Sequence, residues 1–250
     1  MIPKRIHYCW FGKGEFPEKV KQCMKSWEEL LEDYEFFFWN EETFDVSEHE
    51  YTNCAYRTGN YAFVSDYVRF WALCKYGGIY VDTDVEVVKS FDSILENQVV
   101  MGTDEGGYIE GAFIASEANH PYLLEMLEVY DSLSFLRQDG APNKVVVNHW
   151  MEMKLKDYGY VKADTFQGLK CGIMLFPSDF FHGKDQMTGE LNRTQNTYCI
   201  HHHTLLWITK KTGLIRWIRM NVLIPLLGKN AYEKVAGVIK RILRHRSHVG

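Results

Sequence analysis

Residues 60–84 constrain the fold more than any other stretch of this chain. Val64, Val68, Trp71 and Leu73 supply an apolar face to a helix over residues 60–76, and Gly77-Gly78 stops it. Ile79-Tyr80-Val81 then reads as a short buried strand that breaks off at Asp82-Thr83-Asp84. Helix, glycine stop and buried strand in that order are a building unit of an α/β sheet. The two acids fall at the strand's end.

The flanking sequence extends the pattern. Residues 4–12 open as a β-type run closed by glycine. A helix is expected over 17–33, where Val20, Met24, Trp27, Leu30 and Leu31 recur at helical spacing behind a proline. Residues 34–39 form an aromatic strand ended by Asn40. Further strands are expected at 85–88, 99–103, 108–116, 173–176 and 197–201, and further helices at 121–136 and 144–158. No internal repeat and no Pro/Gly/Ser-rich linker divides the chain, so its 250 residues suit one large α/β domain.

Charge separates the ends. Residues 208–250 hold ten Lys/Arg and one Glu, a balance of +9, against a formal total of −5, so residues 1–207 carry −14. An acidic body argues against nucleic acid as the main partner. The six cysteines are scattered, with no CxxC pair, and are expected as reduced thiols of a cytosolic protein. No apolar signal core follows the N-terminus, and no run approaches the roughly 20 apolar residues of a spanning helix.

Asp82 and Asp84 sit two apart on extended backbone, so their carboxylates can share one side. Two carboxylates so close repel, and a hard divalent cation both relieves the repulsion and takes their oxygens as ligands. Such an ion can bridge a diphosphate and stabilise the charge that builds when a sugar–phosphate bond breaks. An isolated acid-x-acid triplet is most often a solvated turn. Here Ser65-Asp66-Tyr67-Val68-Arg69 lies upstream, with Asp66 and Arg69 on one helix face, and the glycine pair intervenes.

The run SDYVRFWALCKYGGIYVDTDVEV resembles the DXD signature of the family 32 glycosyltransferases. It is also similar to the catalytic core of the large clostridial glucosylating toxins. IPKRIHYCWFG, ASEANHP, FPSDFF and NTYCIHHHTLLW extend the resemblance across residues 1–207. It implies a GT-A fold (a Rossmann-like nucleotide-diphospho-sugar transferase) over 1–207, with 208–250 left as a basic amphipathic helical tail. It implies a retaining, metal-dependent transferase using Mn²⁺ or Mg²⁺ and a nucleotide-sugar donor, a UDP-sugar such as UDP-galactose by default. The expected acceptor is a saccharide or lipid-linked oligosaccharide in cell-surface polysaccharide synthesis. Asp82 and Asp84 match the metal–diphosphate motif. Asp66 and Arg69 match donor-sugar and diphosphate contacts, Tyr80 a position beside the donor, and Trp10 an aromatic that stacks on the base. His7, on the same strand, is a further candidate for the nucleotide pocket.

Among His201-His202-His203, alternation along a strand lets at most two share a site. His201 or His202, with Trp207, fits the family's closing segment and would complete the ion's shell. Leu206 stands where the family has serine, which favours as the alternative a non-catalytic nucleotide-sugar or carbohydrate-binding protein. Asp104, Glu105 and Glu110 are candidates for the acceptor or reacting centre, Glu110 foremost. Front-face attack is favoured because no pattern singles out one nucleophile. A glycosidase with paired carboxylates fits poorly beside Arg69. In the tail, Trp217, Ile218, Leu223, Ile224, Leu226 and Leu227 are placed to dip into a bilayer while Arg216, Arg219, Lys240, Arg241 and Arg244 meet anionic lipid. The expected location is therefore the cytoplasm, peripheral on the inner face of the plasma membrane.

Overall fold

The computed structural model describes residues 1–204, 210–228 and 231–232. Two compact units emerge: Met1–Gly183 with Asn192–Thr204, and Lys184–Leu191 with Leu205–Gly250.

The first unit opens with β1 (Arg5–Cys9), α1 (Glu18–Leu30) and β2 (Glu35–Trp39). Helices α2 (Glu50–Arg57) and α3 (Tyr61–Tyr76) lead into β3 (Gly78–Val81). Strands β4 (Val85–Val87), β5 (Val99–Thr103) and β6 (Ile109–Ser116) follow. Helices α4 (Pro121–Ser132) and α5 (Val147–Leu155) precede β7 (Gln167–Gly168) and β8 (Ile173–Phe176). A single helical turn, α6 (Ser178–Phe181), and β9 (Cys199–His201) complete it.

Seven strands join in the order β2-β1-β3-β6-β5-β8-β7. Pairing is parallel for β1–β2, β1–β3 and β5–β8, and antiparallel on either side of β6. The mixed α/β class expected from sequence is therefore the class observed. The alternation of β3 explains the core. Ile79 and Val81 face a cluster with Ile6, Trp27, Phe91 and Phe113, while Tyr80 faces the other cluster with Val64, Phe70 and Leu73 of α3. Both faces of the sheet are covered, so β3 has no polar face and reads as a continuous apolar run. Each fully buried Val, Leu or Phe on α3 contributes about 1.5–3 kcal/mol.

The turn before β3 is tight. Gly78 has φ +114°, and a Cβ there would stand 2.6 Å from the Arg5 carbonyl oxygen. Only glycine lets the chain leave α3 and enter the sheet beside β1.

Helix α2 has no counterpart in the sequence reading. Its buried side chains are Tyr51, Thr52 and Ala55, too weak an apolar stripe to register as periodicity. Helix α1 stops at Leu30 rather than Asp33, and Leu30 is exposed while Leu31 is buried. All six cysteines are free thiols.

A second sheet pairs β4 with β9 antiparallel, setting Val85 opposite His201 and Glu86 opposite Ile200. It is anchored to α1, whose Trp27 Nε1 donates to the Val85 carbonyl at 2.7 Å.

In the second unit, α7 (Lys210–Ile218), a wider turn of π type (Arg219–Leu223) and α8 (Ile224–Leu227) follow one another. Leu214, Ile215, Trp217, Ile218, Leu223, Leu226 and Leu227 are exposed, whereas Ile224 is buried. No described helix is long and apolar enough to cross a membrane.

Candidate active site

The site grows from the carboxyl end of β3. Asp82 N donates to the Ala112 carbonyl of β6 at 2.9 Å, which fixes where the chain leaves the sheet. Its carboxylate is steered by the residue two before it: Tyr80 Oη donates to Asp82 Oδ1 at 2.7 Å. Tyr80 is fully buried, and the Arg69 guanidinium carbon lies 4.6 Å from its ring centroid.

Arg69 and Asp66 both point inward from α3. Arg69 Nη2 meets Asp66 Oδ1 at 2.5 Å and lies 3.7 Å from Asp82 Oδ1, while Nη1 donates to the Gly111 carbonyl at 2.6 Å. A Cβ on Gly111 would sit 3.1 Å from that Nη1, so the glycine makes room for the guanidinium. Burial pushes the Asp66 carboxyl up to about 6, with Arg69 opposing and Asp82 adding to the rise. Both side chains are about nine-tenths buried, and Arg69 adjoins Asp82.

Asp84 is buried as well. Its Oδ2 accepts from Thr204 N at 2.7 Å and Thr204 Oγ1 at 2.8 Å, and its Oδ1 lies 3.4 Å from His201 Nε2. Burial alone would raise the Asp84 carboxyl, but His201 and Thr204 outweigh it and hold it well below the usual carboxylate range. Burial likewise pulls His201 down, yet Asp84 and Glu110 push it up to about 10. Glu110 on β6 lies 3.5 Å from His201 Nδ1. A carboxylate on the far nitrogen of an imidazole that binds a metal can orient the ring, and Glu110 stands where it could do so for His201. Asp82, Asp84 and His201 each offer one ligand atom, all within 4.8 Å of one another.

His202 is not part of this group. Successive residues of β9 face opposite ways, and His202 Nε2 lies 2.7 Å from Glu86 Oε2. Of the two alternatives the sequence left open, His201 is the one beside the acids. Asp104 Oδ1 accepts from the amides of Gly106 and Tyr108, closing its own loop. Glu105 Oε1 accepts from Asn192 at 3.2 Å.

His7 is a core residue and not a pocket wall. Trp39 Nε1 donates to its Nδ1 at 3.2 Å, so Nε2 carries the hydrogen and donates to the Gly77 carbonyl at 2.8 Å. Burial lowers its pKa to about 4. A histidine held neutral below its unfolded value costs stability as pH falls from about 6.5 through about 4, where the unfolded chain alone takes the proton. His7→Gln is therefore expected to flatten the acid limb of stability by roughly 3 kcal/mol, read from urea unfolding between those pH values. An acid limb identical in both proteins refutes this.

Trp10 leaves β1 at the edge where Asp82 leaves β3, since the parallel register sets His7 beside Tyr80. Its indole is half-buried, with Nε1 donating to Gly14 O at 2.6 Å and Phe16 packed 5.0 Å away. Trp207 and Leu206 lie outside the described residues. The structure adds Thr204, a member of the closing run NTYCIHHHTLLW to which the sequence assigned no role: its contact with Asp84 depends on a β4–β9 pairing invisible in sequence. It also adds His182 and His203, gathered around His201.

Residues 17–101 match the family described as glycosyltransferase sugar-binding region containing DXD motif. Inositol phosphoceramide mannosyltransferase 3 of Schizosaccharomyces pombe is 30% identical over 138 residues, covering 54% of this chain and 38% of that protein. A mannosyl phosphorylinositol ceramide synthase of Saccharomyces cerevisiae is 25% identical over 132 residues, covering 51% and 35%. This chain thus spans little over a third of these relatives' length. Among solved structures, the PaToxG glycosyltransferase is 19% identical, with 62% of this chain and 69% of that one covered and a TM-score of 0.48.

Proposed function

We propose that this chain is a DXD-type glycosyltransferase, a metal-dependent, retaining enzyme of GT-A type that moves a sugar from a nucleotide-sugar to a saccharide or lipid-linked acceptor. The reading rests on one observation: ligand atoms of Asp82, Asp84 and His201 converge within 4.8 Å, at the strand edge where open α/β sheets bind ligands. Two carboxylates and one imidazole suit Mn²⁺ or Mg²⁺. Thr204 holds one oxygen of Asp84 and leaves the other turned toward His201. A bound ion would supply positive charge for the donor's diphosphate and the leaving group.

The chain's own residues prepare that place. Tyr80 and Arg69 hold Asp82 from the core side, and Glu110 stands 3.5 Å from His201 Nδ1. Around the acid pair, Asp66, Asp104, Glu105 and Glu110 already hold protein partners. That favours attack by the acceptor hydroxyl on the face the diphosphate leaves, with no enzyme nucleophile. Trp10, at the same edge, is the candidate to stack on the base.

The relatives are named for mannosyl transfer to inositol phosphoceramide, which supports a mannosyl donor as a rival to UDP-galactose and a lipid-borne acceptor. The exposed Leu214, Ile215, Trp217 and Leu226 of the tail helices suit a peripheral membrane surface on the cytoplasmic side. Donor binding to the folded state raises apparent stability, so a thermal-shift screen of UDP-sugars and GDP-mannose with and without Mn²⁺ tests the reading. One donor is expected to raise Tm only when Mn²⁺ is present. No shift with any nucleotide-sugar refutes it. A shift without transfer or slow donor hydrolysis would favour the non-catalytic binding protein.

A further inference from the structure

We propose that His182, His201 and His203 form a second cation site, suited to Zn²⁺ or a similar borderline divalent ion, and that filling it draws His201 away from Asp84. One ring nitrogen from each histidine falls within 4.8 Å of the others. His182 Nε2 and His203 Nε2 face each other at 3.3 Å. Two nitrogens on one tetrahedral zinc, each about 2.0–2.1 Å from it, stand roughly this far apart.

Three further observations point the same way. His182 and His203 are almost wholly buried, so their rings are held in place by the surrounding packing. Glu105 Oε2 lies 3.6 Å from His182 Nε2 and offers a fourth ligand. His203 takes a left-handed backbone at φ 49°, a conformation that non-glycine residues keep where the surroundings demand it.

Ligand chemistry separates this site from the acid pair. Three imidazoles favour zinc over the hard, oxygen-seeking ions, whereas two aspartates favour Mg²⁺ or Mn²⁺. His201 belongs to both groups, so the two ions compete for one ring. The histidine site stands on its own geometry; the competition rests on the proposed role of Asp82 and Asp84.

Calorimetric titration of zinc into the full chain, His182→Ala and His203→Ala tests the site, since both variants keep Asp82, Asp84 and His201. Zinc affinity is expected to fall at least about tenfold in each variant, with the Mn²⁺-dependent donor shift unchanged. Unchanged zinc affinity in both overturns the proposal. Should either variant fail to fold, the unmutated chain titrated with Co²⁺ decides: intense visible absorption of a tetrahedral site is expected, and the pale spectrum of an octahedral oxygen site overturns the proposal. Asp82→Asn separates the two readings. Retained zinc binding with loss of the Mn²⁺-dependent shift supports both, and lost zinc binding places the ion on the acids and overturns this site. Zinc bound as described, with no Mn²⁺-dependent shift even in the unmutated chain, overturns the transferase reading and leaves the histidine site standing.

Discussion

Asp84→Asn is expected to abolish Mn²⁺-dependent donor binding and to lower any sugar transfer on the order of a thousandfold, about 4 kcal/mol of transition-state stabilisation. The substitution keeps shape and removes charge. An asparagine oxygen can still accept from Thr204, but its amide then faces His201 with donors and offers a cation nothing. Metal-free melting of the variant separates a folding defect from a binding one. An unchanged Mn²⁺-dependent Tm shift refutes the assigned role.

Arg69→Met is expected to cost about 3–5 kcal/mol of stability at neutral pH, because it strands a buried carboxylate. Asp66 loses its charged partner at 2.5 Å and Asp82 loses the cation 3.7 Å away. The pH dependence follows from Asp66. Its folded pKa of about 6 already exceeds the ordinary value of 3.8, so its contribution is present below about 3.8 and lost as pH rises through about 6. Removing the guanidinium strengthens that trend, and the variant should gain on its parent as the medium is acidified. Asp66→Asn combined with Arg69→Met should recover part of the loss, because two neutral groups bury more cheaply than one orphaned ion. Chemical denaturation at pH 5 and pH 8 measures all three proteins. A loss under about 1 kcal/mol in the single variant would show the pair to be solvated.

Much of this arrangement was legible beforehand, for identifiable reasons. Periodicity announced α3 and β3 because their buried residues are large and regularly spaced. The acid pair at the strand's end followed from local order alone. Helix α2 was missed because a Tyr, a Thr and an Ala carry its buried face. Spacing does not report burial: that Arg69 and Tyr80 are buried beside Asp82 is visible only in the packed core. Alternation correctly limited the histidine run to two on one side, yet it could not say which. The pairing of Val85 with His201 decides that, and it also brings in His203 and the distant His182.

The β4–β9 pair has a consequence for synthesis. Asp84 and Thr204 are 120 residues apart in the chain, so a nascent polypeptide displays its two acids on the ribosome long before the groups that fasten them emerge. At roughly 5–20 residues per second, that interval lasts several seconds or more. Throughout it Asp84 lacks both the imidazole and the threonine clasp that hold it in the finished fold.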